Sequence, residues 1–305
     1  MVSEPARIVS MAGLLEQATS TPTVLRMGLG LMLRGRREQK GVPARAAARH
    51  LGCSVTKISR LETGRGRFQL SGQEVAKLLA FYGEGDPRML ADVQELVWRA
   101  NQRGWWLAYQ DLVPGWFELF VGLESSASIV RVFEAFHMPG LLQTEGYARA
   151  LMQAGVPLAQ NEEIGRRITF RKTRQEALTR PHGALKLWVV IDESVLWRRV
   201  GGKKVMIEQL EHVLTMMKRP NVIVQVLPFD ADIPAHAGVP ITMLRFQAPD
   251  LPDVVYLERT DSAEYLDEAS RTETHMRILD NLSAVAMTKR DSRALIESAI
   301  ARFRT

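Results

Sequence analysis

Apolar positions in the stretch from Pro43 to Gly66 follow the helical period. Ala44, Ala47, Ala48 and Leu51 recur three or four apart, so they share one face of a short helix. Pro43 suits the start of that helix, where its missing N–H has no partner to lose. Gly52 can adopt the left-handed conformation that stops a helix. Ser54 then offers an N-cap to a second helix. In that helix Ile58 and Leu61 point inward, Thr56, Lys57, Ser59 and Arg60 point outward, and Gly64 ends it. A contact face of alanines lets the two helices cross closely. The pattern predicts a helix-turn-helix, a shape whose second helix enters the DNA major groove; the alternative is an ordinary helical hairpin with a solvated charged face.

The same reading extends along the chain. Residues 1 to 22 show no sustained period and read as a loose arm. Val24 to Lys40 reads as a helix with Leu25, Leu29 and Leu33 on one face, although Gly28, Gly30 and Gly35 each weaken it by up to ~1 kcal/mol relative to Ala. Tertiary packing must therefore hold it. Ser71 and Glu74 form a capping-box pattern opening a helix through Tyr82. Met89 to Ala100 reads as another helix, suited to a connector or a dimer contact. Asn101 to Gly104 reads as a boundary, giving an arm at 1–22, a helical domain at 23–100 and a second domain at 101–305.

That second domain alternates helix and strand. Leu123 to Val132 reads as a helix, Thr144 caps one through Met152, and Ile164 to Thr179 forms a charged one. Leu185 to Ile191, Val222 to Leu227, Ile241 to Phe246 and Val254 to Leu257 read as strands, being rich in β-branched residues between turn signals. Glu193 to Val200 and Val205 to Lys218 read as helices between the strands, and two further helical faces close the chain. The expected class is an all-α N-terminal domain followed by a larger mixed α/β domain.

Charge sharpens the picture. The chain of 305 residues carries +6 overall. Between Val24 and Leu70, Lys and Arg number eleven against two acids, Glu38 and Glu62, so that segment holds +9 and the remainder −3. Positive charge thus sits on the helix-turn-helix, as an electrostatic footprint for DNA requires. Cys53 is the only cysteine, which excludes internal disulfides and multi-cysteine zinc sites and fits a reducing cytoplasm. No run of ~18 apolar residues occurs, so no membrane-spanning helix is expected.

The run LGCSVTKISRLETG (51 to 64) resembles the Xre/phage-repressor class of helix-turn-helix proteins. The resemblance covers roughly residues 24 to 85 and implies a lambda-repressor-like fold. It implies a DNA-binding surface of Arg45, Ser54, Val55, Thr56, Lys57, Ser59, Arg60 and Arg65, with Val55, Thr56 and Arg60 at base edges and Lys57 at the backbone. It further implies that Glu62 pairs with Arg37. Where the class often has a phosphate-holding glutamine, this chain has Ala44, and Arg45 is the substitute at that end.

A second resemblance covers residues 105 to 303. MPGLLQTEGYARA (138 to 150), RKTRQEAL (171 to 178), IDESVLWRRVGG (191 to 202), VIVQVLPF (222 to 229) and VVYLER (254 to 259) look like a C-terminal domain common in actinomycete regulators. That resemblance implies a developmental or antitoxin-like regulator with a small protein partner encoded nearby.

Catalysis needs convergent groups, and none is expected here. The six histidines are scattered without metal-ligand spacing. Asp192 with Glu193, and Asp230 with Asp232, are close acidic pairs that read as a helix start and a loop; a divalent cation is the alternative. His236 lies in a Pro/Gly loop. Trp105, Trp106, Tyr109, Trp116, Phe117 and Phe120 lack interleaved cations and read as packing groups rather than a base-stacking platform. No catalytic, metal or cofactor site is expected. The expected protein is a homodimeric, cytoplasmic transcriptional regulator binding a double-stranded operator, with a partner-binding C-terminal domain. A small-molecule sensor is the alternative for that domain.

Overall fold

The computed structural model describes residues 20–64, 68–155, 161–232, 239–248 and 250–305. Their contacts divide the chain into two compact units. The first holds the described residues up to Ala108 with Glu118–Ser126 and Phe246–Leu251; the second holds Tyr109–Phe117, Ala127–Arg245 and Pro252–Thr305. Asn101 to Gly104 lies inside the first unit.

The first unit contains helices α1 (Pro22–Gln39), α2 (Ala44–Leu51), α3 (Val55–Thr63), α4 (Gly72–Phe81) and α5 (Pro87–Ala100). Of the expected arm, residues 1 to 19 lie outside the described residues. Thr21, within the same stretch, is held: its N–H donates to Ser126 Oγ at 2.7 Å and its hydroxyl to the Gly122 carbonyl at 2.6 Å. The chain then turns into α1 with Pro22 at the first helical position. Leu25, Leu29 and Leu33 are buried along α1, with Ile58 and Leu61 of α3 and Val75, Leu78 and Leu79 of α4. Glycine in α1 has a packing reason. A Cβ on Gly30 would lie 2.6 Å from the Glu62 carbonyl oxygen and 2.7 Å from that of Leu61, so α1 and α3 cross backbone to backbone.

After α6 (Gly115–Ser126) comes the second unit's sheet. Its strands are β1 (Ile129–Glu134), β2 (Lys186–Asp192), β3 (Val222–Leu227), β4 (Ile241–Arg245), β5 (Val254–Glu258) and β6 (Ala263–Leu266), in spatial order β3-β2-β1-β4-β5-β6. β1, β2 and β3 are parallel, while β4, β5 and β6 are antiparallel to their neighbours. Helices α7 (Glu145–Gly155) and α8 (Asn161–Gln175) connect β1 to β2, and α9 (Ser194–Trp197) and α10 (Lys203–Met216) connect β2 to β3. α11 (Ala269–Val285) and α12 (Lys289–Arg304) end the chain. Phe133, Val190, Leu227, Met243 and Val255 on one sheet face form a core cluster with Leu279 and Leu282 of α11.

The four expected strands all form. The expected helix at Leu123 to Val132 does not: α6 stops at Ser126, and Ile129 to Glu134 is a strand. Its β-branched residues Ile129, Val130 and Val132 favour a pleated surface. What decides the outcome is non-local, since Val132 pairs with Val189 on one side and Thr242 on the other. β6 also went unread, being a four-residue edge strand. No helix among the described residues is long and apolar enough to cross a membrane.

Candidate nucleic-acid interface

Local chemistry builds the helix-turn-helix as its residue pattern requires. Gly52 ends α2 at φ 66° and Gly64 ends α3 at φ 62°, both left-handed. Ser54 Oγ accepts the Lys57 N–H at 3.2 Å and so caps α3. Ala47, Ala48, Ile58 and Leu61 are buried. That leaves Ser54, Val55, Thr56, Ser59 and Arg60 exposed on α3, with Lys57 half-buried, and Arg45 exposed on α2. Arg65 lies outside the described residues. Thr56 and Arg60 are one turn apart and share the outward face.

Two of these side chains already have partners. Lys57 Nζ meets Glu74 Oε1 at 2.5 Å. Glu74 occupies the first turn of α4, where its N–H donates to Ser71 Oγ at 3.3 Å. The capping box expected from sequence thus supplies its serine half, while the glutamate carboxylate turns to Lys57. Arg60 lies with its guanidinium carbon 5.2 Å from the Phe68 ring centroid. Arg26 approaches the same ring at 5.9 Å and donates from Nε to the Ala100 carbonyl at 2.8 Å. Phe68 and Glu74 touch two of the candidate residues, and the sequence reading named neither in that role. Each contact joins the recognition helix to a residue outside it, and no local period encodes that.

Behind the exposed face, Arg37 of α1 and Glu62 of α3 form the ion pair that the resemblance implied. Arg37 also donates from Nη1 to the Val42 carbonyl at 2.9 Å, which ties the turn before α2 to the same guanidinium. The Glu62 carboxylate holds that guanidinium above its ordinary range. Tyr82 lies nearby, its phenol pushed up to about 12 by burial and by the Glu62 charge.

In the second unit, Asp192 and Glu193 serve structure. Asp192 Oδ1 accepts the Ser194 N–H at 2.9 Å at the start of α9. Glu193 accepts from Trp197 Nε1 and from the Phe229 N–H, each at 3.0 Å. His236 lies outside the described residues. Among those described, no group of three or more His, Cys, Asp or Glu can hold a metal ion. Part of the aromatic run packs on the second unit's own residues: the Tyr109 and Phe117 rings lie tilted beside Phe170, with centroids 5.3 and 6.3 Å away, and the Trp116 carbonyl accepts from Tyr265 Oη at 2.5 Å.

Residues 29–92 match a family model described as a helix-turn-helix domain. Residues 117–298 match the model described as a domain of unknown function, DUF5753. That second match spans more than half of the chain, so the protein belongs to the family of this domain. No curated protein and no solved structure matches the chain.

Proposed function

We propose that this member of the DUF5753 family is a sequence-specific, DNA-binding transcriptional regulator of the Xre type. The observation that carries this reading is the capped helix α3. It presents Thr56 and Arg60 outward on the unit that concentrates positive charge, which suits direct reading of base edges. In this reading Thr56 and Arg60 contact bases. Lys57 and Arg45 hold phosphates, and two copies of the chain engage a two-fold operator in the cytoplasm. The second unit receives the signal and performs no catalysis. A small protein partner encoded nearby supplies that signal, as the sequence resemblance implies. The tests are a genome-wide map of bound sites and purification from the native host. Absence of any enriched sequence would sink the regulator reading. Absence of a stoichiometric small protein would sink the partner.

A second reading makes the second unit a small-molecule sensor.

A further inference from the structure

Outside Val24 to Leu70 the chain carries −3, yet one loop of the second unit is strongly basic. The run WRRVGGKK (197 to 204) joins α9 to α10 and holds Arg198, Arg199, Lys203 and Lys204 without an acid. All four are exposed, and so is Arg302 near the end of α12. None of them makes an ion pair among the described residues. Other exposed arginines of the unit do: Arg245 meets Asp253 at 2.6 Å, Arg293 meets Glu297 at 3.0 Å and Arg304 meets Glu211 at 2.6 Å. The nearest acids in the chain are engaged elsewhere, Asp192 with the Ser194 N–H and Glu193 with Trp197 Nε1 and the Phe229 N–H. Asp230 and Asp232, exposed after β3, pair with none of these cations.

This loop is seated on the fold. Val200 is buried, and a Cβ on Gly201 would lie 2.9 Å from the Ala150 Cβ and 3.0 Å from that of Val205, so the backbone packs tightly against α7 and α10. Ser194 Oγ donates to the Ala135 carbonyl at 3.1 Å, which ties α9 to the chain just before Phe136. Phe136 is 48 % exposed. The Arg198 guanidinium carbon lies 5.9 Å from the centroid of its ring, and that of Arg302 lies 5.1 Å from the ring of Trp197. Trp197 and Arg198 are neighbours in the chain, so the two stacks form one surface. A guanidinium lying over a ring keeps its charge and its fork of N–H donors, which matches the two oxygens of a carboxylate.

We propose that this surface docks an acidic segment of another protein. Carboxylates of that segment pair with Arg198 and Arg302, the neighbouring Arg199, Lys203 and Lys204 supply the attractive field, and an apolar side chain rests on the exposed part of Phe136. Charge complementarity selects the occupant, and the geometry disfavours the alternatives. Base stacking needs open ring faces, and here a guanidinium covers one face of each ring. Insertion into a membrane needs an outward apolar face, whereas these rings lie beneath charged groups. A second copy docking by two-fold symmetry would set this patch against itself, cation opposite cation. Arginine beside aromatic rings is instead the composition that anchors protein interfaces. The proposal deepens the reading in which a protein partner signals through the second unit, and it rests on that reading.

The test uses the full chain and fluorescent probes: a short peptide of Glu, Asp and Leu, the same peptide with Gln and Asn for its acids, single-stranded oligothymidine, and phosphatidylserine vesicles. Binding is followed across a salt series. The acidic peptide is expected to bind and its amide counterpart to bind far more weakly. The combined variant Arg198→Gln, Arg199→Gln, Arg302→Gln, checked for folding by circular dichroism, is expected to weaken the acidic peptide by about tenfold or more and to leave duplex affinity unchanged. Arg45→Gln with Lys57→Gln, on the recognition side, is expected to do the reverse. Equal binding of the two peptides, undiminished peptide binding by the combined variant, or a greater loss on oligothymidine or vesicles than on the peptide would overturn the surface. Purification from the native host separates this result from the partner reading. A small protein that stays bound to the combined variant would overturn the surface and leave the partner. Peptide binding at the patch, with no small protein in the host, would remove the partner and leave the surface standing.

Discussion

Arg37 and Glu62 meet side by side: Nε donates to Oε1 at 2.6 Å and Nη2 to Oε2 at 2.9 Å, with the side chains only 12 % and 8 % exposed. A two-point contact of this kind fixes orientation as well as distance. It sets α3 against α1 at the depth where the backbones cross. Removing one partner of a buried pair leaves an uncompensated charge and costs on the order of 3–5 kcal/mol. Glu62→Ala is therefore expected to lower the melting temperature of the first unit's transition by several degrees. An unaltered melting curve would show that the pair carries no stability.

Gly30 gives an independent test of the same crossing. Its substitution by alanine places a methyl group 2.6 Å from the Glu62 carbonyl oxygen. Backbone cannot yield as a flexible side chain does, so the helices must separate. Gain in helix propensity, about 1 kcal/mol, is smaller than the penalty of overpacking, typically about 1–3 kcal/mol. Gly30→Ala should destabilise the protein and weaken duplex binding together. A more stable variant with intact DNA affinity would show that the crossing tolerates the methyl group.

Reader and anchor on α3 separate by their salt dependence. Arg60→Ala is expected to lose about 1–3 kcal/mol on the operator and to relax specificity at one position per half-site. Phe68→Ala should produce a weaker form of the same effect, because the ring over which Arg60 lies no longer orients it. Lys57→Ala should weaken all duplexes alike and reduce the slope of log affinity against log salt by about 1 per phosphate contact, near 2 for a dimer. Affinities for operator and random duplex across a salt series decide it. Equal loss on both duplexes for Arg60→Ala would reverse the assignment.

Glu74 supplies the opposite sign. In the free protein its carboxylate occupies Lys57, and a phosphate must displace it. Glu74→Gln is expected to raise affinity for random duplex and to steepen the salt slope, since the lysine meets DNA without a competing charge. Weaker binding by this variant would mean that Glu74 chiefly orients Lys57.

Stability should fall with pH because of Glu134. The unfolded carboxyl ionises near its ordinary 4.5, while the folded one keeps its proton to about 8. Between those values the unfolded chain binds fewer protons, so each rise in pH favours unfolding, by about 1.4 kcal/mol per unit at most. The loss begins above the unfolded value and levels off above the folded one. Glu134→Gln should flatten melting temperature against pH across this window and stabilise the protein most at its upper end. Parallel curves for the two proteins would show that Glu134 ionises normally.

The residue pattern by itself determined the helix-turn-helix nearly to the residue. Its determinants are local: an alanine face, two glycines where φ must be positive, and a serine whose hydroxyl reaches three residues along. It also determined β2 to β5, whose β-branched runs stand between turn residues. Tertiary structure alone decided β1, because Ile129 to Glu134 becomes a strand by pairing with residues more than fifty positions away. It alone turned Glu74 toward Lys57 and placed Phe68 beneath Arg60, contacts made across loops whose course no period records. It alone brought Glu134 and Glu258 to one edge of the sheet, 124 residues apart in the chain. Local propensity acts over a few residues, whereas the charge environment of a carboxyl depends on whichever strands pack beside it.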